Sequence, residues 1–177
     1  MDAISILKHE HEAILFGLGI LDRAAARAST GDAAARADLP ELVRFLSGFA
    51  DTCHHGKEEG ILFPALEAAG MPREGGPLGV MLEEHRLGRS FIRDMGGALG
   101  SGDYAAFARA ASGYSALLRA HIEKEDGILF PAGAEALGRS RLEALGGDFD
   151  RFEETVMGPG EHERLHSLLE EFAGRYR

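Results

Sequence analysis

One eleven-residue stretch occurs twice in this chain. His54-His55-Gly56-Lys57-Glu58-Glu59-Gly60-Ile61-Leu62-Phe63-Pro64 returns 67 residues later as His121-Ile122-Glu123-Lys124-Glu125-Asp126-Gly127-Ile128-Leu129-Phe130-Pro131, with no gap inside either copy. Each copy sets a histidine and a glutamate four residues apart, His54/Glu58 and His121/Glu125. On an α-helix that spacing places both side chains on one face, about one turn apart. A neutral imidazole and a carboxylate so placed can grip one divalent transition metal.

The repeat extends to the helices that precede it. Lys8-His9-Glu10-His11 comes before the first copy and Leu82-Glu83-Glu84-His85 before the second. Ile4, Leu7, His11, Ile14, Leu15, Leu18 and Leu21 step by three and four, which predicts a helix over 3–28, ended by Ser29-Thr30-Gly31-Asp32. A second helix is expected from Leu39-Pro40, with Pro40 in a permissive first turn, to about Ala69. A third is expected over 78–99 and a fourth over 104–136. The tail, 138–176, reads as one or two shorter helices split at Gly158-Pro159-Gly160, and no stretch alternates like a strand. The expected fold is all-α: an up-down four-helix bundle over 1–137, with a C-terminal helical extension over 138–177 packed on the same domain. Proline inside both motif helices would clash with the carbonyl four residues back. That residue is Gly60 for Pro64 and Gly127 for Pro131, so a kink is expected just past each glutamate.

The paired polar residues sit on apolar faces. Leu7, Leu15 and Leu18 flank His11; Met81 and Ile92 flank His85; Leu117 and Tyr114 precede His121; Leu62 follows Glu58 and Leu129 follows Glu125. A single histidine on such a face is usually a hydrogen-bonded core residue. Two carboxylates buried without partners would cost several kcal/mol each, an objection that a bound pair of dications removes. Histidine with carboxylate suits iron or manganese better than structural zinc, which favours cysteine and histidine. His55 and Glu59 are also four apart. They align with Ile122 and Asp126, so that alternative pair is incomplete in the second copy, and His54 is taken as the ligand. His9 is read as a surface residue. Tyr114, two turns before His121, is either a phenol close to the site or a core residue, and Cys53 is read as an idle thiol.

Composition narrows the partners. A net charge of −10 argues against nucleic acid or an anionic membrane. With Cys53 as the one cysteine there is no internal disulfide framework. No signal peptide or bilayer-spanning apolar run is seen, and a reducing cytoplasm is the simplest location.

The pattern H…HxxxE…H…HxxxE over about residues 1–135, with its HHGKEEGILFP and HIEKEDGILFP stretches, resembles the hemerythrin-like, or HHE cation-binding, domain. The resemblance implies that His11, His54, Glu58, His85, His121 and Glu125 bind a non-haem di-iron centre, with Glu58 and Glu125 bridging two iron ions. Oxygen-carrying hemerythrins have two histidines a turn apart on the third helix; here the positions around His85 hold Met81 and Arg89. The bundle is thus expected to supply four histidines. A fifth could come from the tail, where His162, and behind it His166, follow Glu161; the other reading of that segment is an exposed, charged helix start. A site of this kind would bind or reduce O2, NO or peroxide, as a di-iron oxidoreductase with an unspecified electron donor. The alternatives are an iron or oxygen sensor or iron-handling protein without turnover, and a structural metal bundle.

Overall fold

The computed structural model describes residues 1–158 and 160–176; Pro159 and Arg177, and the side chains of His162, Glu163 and His166, lie outside the described residues. Helix α1 spans Ala3–Ser29, its first turn capped by Asp2, whose carboxylate accepts from the Ser5 amide at 3.0 Å. Helix α2 spans Ala33–Phe45. It starts earlier than the sequence suggested, because Asp32 ends one helix and caps the next, accepting from the amides of Ala34 and Ala35. Pro40 therefore lies inside α2 rather than in its first turn.

From α2 the chain runs on as a π-helical stretch, Leu46–His55, then a π turn, Glu58–Leu62, and helix α3, Phe63–Ala68. Helix α4 covers Pro77–Ser101 and ends on Gly102 at φ 70°, a left-handed conformation that glycine adopts without strain. Helix α5 covers Tyr104–Lys124, capped by Asp103, and passes through a second π turn, Glu125–Leu129, into α6, Phe130–Val156. Gly138 breaks α6 with φ 70° and ψ 164°. Helix α7, Glu161–Arg175, closes the chain. No strand occurs among the described residues.

The expected kinks are resolved as these π turns. The amide of Phe63 bonds the carbonyl of Glu58, and that of Phe130 bonds Glu125, each five residues back. The wider turn relieves the crowding that Pro64 and Pro131 would cause in a regular α-helix.

Helix α1 packs on α2, α5, α6 and α7, while α4 packs on α5. Two apolar clusters fill the interior. One holds Ile14, Leu18, Leu21, Phe45, Phe49, Met95, Phe107 and Leu118; the other holds Leu7, Leu62, Phe63, Met81, Leu129, Phe130 and Phe149. Along α1, α4 and α5 the histidines fall between the two sets, so the polar residues form one layer closed by apolar side chains on both sides. The C-terminal half of α6 lies against the start of α1, where any side chain at Gly146 would collide with the Met1 carbonyl.

Candidate metal centre

Each half of the repeat contributes a pair of imidazoles to this layer. The Nε2 atoms of His11 and His54 are 3.1 Å apart, and those of His85 and His121 are also 3.1 Å apart. The two glutamates lie across the halves. Glu58 places Oε1 3.6 Å from His54 Nε2 and Oε2 3.3 Å from His85 Nε2. Glu125 places Oε2 3.2 Å from both His11 Nε2 and His121 Nε2. All six side chains are buried.

The second ring nitrogen of each histidine is also held by a carboxylate, in a pattern that follows the repeat. Within each half, Nδ1 of His54 lies 2.8 Å from Glu10 and that of His121 lies 3.0 Å from Glu84. Between halves, Nδ1 of His11 lies 3.0 Å from Asp126 and that of His85 lies 2.8 Å from Glu59. Such partners fix the tautomer and aim Nε2 inward, the usual dressing of a metal-binding imidazole. Phe130 stacks on His11 at 5.5 Å and Phe63 on His85 at 5.9 Å, again repeat-related, and they close the layer with apolar surface.

His55 joins the cluster as well. It is 2% exposed, stacks on His85 with ring centres 3.9 Å apart, and turns Nδ1 toward Asp51 at 3.4 Å. Its Nε2 is buried without a hydrogen-bond partner among the described residues. Two four-residue groups result: His55, Glu58, His85 and His121, and His11, His54, Glu58 and Glu125, each with its ligand atoms within 4.8 Å of one another. Five imidazoles therefore divide three and two, with Glu58 common to both groups. His54, the expected residue, and His55 are both brought into the cluster from the π-helical stretch that ends at His55. π-Helical geometry is rare and is found frequently at functional sites. The fifth imidazole expected from His162 or His166 falls on side chains outside the described residues. Tyr114 is buried in the first apolar cluster with its hydroxyl unpartnered among the described residues, and burial pushes its pKa up. His9 is exposed, as expected, against Glu12.

The residues fit a pair of cations. Among the described residues, both oxygens of Glu58, both of Glu125 and Nε2 of His55 are buried without a hydrogen-bond partner, the carboxylate oxygens facing imidazole Nε2 atoms. Orphaned acceptors of this density are costly unless a positive charge sits among them. The donors are imidazole nitrogen and carboxylate oxygen with no thiolate, a set suited to iron or manganese. Cys53 is buried and pushed up to about 12, chiefly by that burial, which leaves it an inert thiol.

Without metal the charges compensate one another. Burial disfavours a charged His85, but the nearby carboxylates of Glu58 and Glu59 outweigh that and raise it to about 9. Burial likewise works against an ionised Glu59, but hydrogen bonds from His85 and Arg89 lower it to about 2. His55, by contrast, is driven well below its ordinary value by burial and by the neighbouring imidazoles, so it stays neutral and ready to donate a lone pair. His85 carries a raised pKa, so its contribution is complete below the unfolded value of 6.5 and is lost as pH rises through about 9. The Tm of metal-free protein is therefore expected to fall by about 5 °C between pH 6.5 and 9. A metal that replaces the proton should abolish that fall, because binding requires the neutral imidazole. Thermal scans of both forms across this range check it; parallel curves would contradict it.

A closed layer of imidazoles and shared carboxylates within a helical bundle defines a metal-binding helical protein. The chain belongs to the hemerythrin HHE cation binding domain family, whose model matches residues 2–133. No curated protein and no solved structure matches it. Among the described residues no helix is long and apolar enough to cross a membrane.

Proposed function

We propose that the protein holds two iron ions in the His/Glu layer and uses them to bind or reduce a small ligand: O2, NO or peroxide. The observation that carries this reading is the unequal division of five imidazoles around a shared carboxylate. His55, His85 and His121 supply three nitrogens to one position, and His11 and His54 supply two to the other. Each position counts four protein donors, three imidazoles and a carboxylate at one and two of each at the other, fewer than an octahedral iron takes, so room is left for an outside ligand, whereas a purely structural site is closed. When bound, two ferrous ions would supply two electrons to one small ligand. The protein's own part is to exclude water with Phe63, Phe130, Leu62 and Leu129, to hold each ring by its Nδ1 carboxylate, and to keep His55 neutral.

Rapid mixing of the reduced, iron-loaded protein with O2, NO and peroxide tests the reading. Fast bimolecular formation of a ligand-to-iron absorption band is expected with at least one of them, and turnover with an added reductant would mark an oxidoreductase. No spectral change with any of the three would leave a sensor responding by conformation alone, or an inert bundle, and would end this proposal.

A further inference from the structure

The repeat allows one half of the molecule to serve as a control for the other. In each half a lysine three residues after the motif histidine donates to the carboxylate that holds that histidine: Lys57 to Glu10 Oε1, and Lys124 to Glu84 Oε1. There the symmetry ends. The Lys124 side chain is 35% exposed, and Glu84 is the ion-pair partner found for it among the described residues. Lys57 is fully buried and reaches a second carboxylate, Oε2 of Glu153, at 2.6 Å. Glu153 stands in the C-terminal half of α6, beyond residue 133 where the family match ends. The next residue back, Phe152, packs on Gly56 so closely that a Cβ there would lie 2.8 Å from its ring. The extension is thus seated directly behind the first motif copy. The chain of contacts His54–Glu10–Lys57–Glu153 runs from the two-imidazole position out to a partly exposed carboxylate.

We infer that Glu153 is a positioning residue for the metal centre: through Lys57 it fixes the carboxylate of Glu10, and so the orientation and donor strength of His54. The physical reason is charge balance. A buried ammonium with a single carboxylate pulls that carboxylate toward itself, away from the ring it should hold; a second carboxylate on the far side shares the pull. Loss of an outer partner of a ligating histidine commonly weakens metal binding by about 10–100-fold. By this route the segment outside the family domain sets the affinity of one ion and not of the other. The inference rests on the metal reading given above.

Titration of the full-length, metal-free protein with cobalt(II), read by its visible absorption, tests it. Wild type should take up two equivalents. Glu153→Gln should weaken one equivalent about tenfold and shift the band of that ion, leaving the other untouched, and Glu153→Asp should restore much of the loss. Lys124→Met should perturb the opposite ion. A Lys57→Met/Glu153→Leu double variant removes the lysine together with its outer carboxylate, leaving Glu10 held by His54, and should weaken the same equivalent as Glu153→Gln. If both Glu153→Gln and the double variant titrate like wild type, even with a lowered Tm, the ion pair only latches α6 and the inference is overturned. A wild type that takes up no cobalt overturns the metal reading itself, and this inference with it.

Discussion

Glu58→Ala is expected to empty both of the proposed metal positions. Glu58 is completely buried and belongs to both four-residue groups, with one oxygen facing His54 and the other His85. Among the described residues no other carboxylate lies in both groups. Deleting it leaves Glu125, whose Oε2 lies 3.2 Å from both His11 Nε2 and His121 Nε2, as the one remaining carboxylate of the two groups. Removal of an outer partner alone costs about 10–100-fold in affinity, so loss of a shared donor should exceed about 100-fold at each position. Iron content after anaerobic loading and desalting should fall from two per chain to well under one. Glu123→Gln, an exposed change in the second copy, should leave it at two. Retention of two irons by the alanine variant would show that Glu58 is not shared.

The second large effect is expected at His55. Isoleucine is the residue that the second copy places at the equivalent position, Ile122, and its bulk suits an apolar layer. His55→Ile removes one of three imidazoles from one position and the stack on His85, while the His11–His54 pair keeps its hydrogen bonds to Asp126 and Glu10. The variant should hold one iron tightly and lose about 100-fold in affinity for the other. His162→Ala should change neither. The reverse outcome, a silent His55→Ile and a damaging His162→Ala, would move the fifth imidazole to the tail.

Much of this site was legible in the sequence because the repeat is exact in spacing. His54, Glu58, His121 and Glu125 follow from the two motif copies, and His11 and His85 from the Glu-His pairs before them. The rest depends on geometry that spacing does not report. His54 and His55 read as alternatives because the second copy has Ile122 and Asp126 where the first has His55 and Glu59. The π-helical stretch over Leu46–His55 re-aims them, and no local residue pattern announced it. Glu10 and Glu84 were visible as neighbours of His11 and His85, yet each holds the histidine of the opposite helix in its pair. Glu153 meets Lys57 across 96 residues, a contact set by how α6 passes behind the motif. The start of α2 was misplaced for a simpler reason: one short Ser-Thr-Gly-Asp segment both ends α1 and caps α2.

The most direct test of the central claim is the Mössbauer spectrum of protein loaded anaerobically with isotopically enriched ferrous iron. The account predicts two irons per chain in two distinct environments of equal population, one bound by three imidazoles and one by two. A single iron per chain, or two irons in one indistinguishable environment, would contradict the division of five histidines around Glu58.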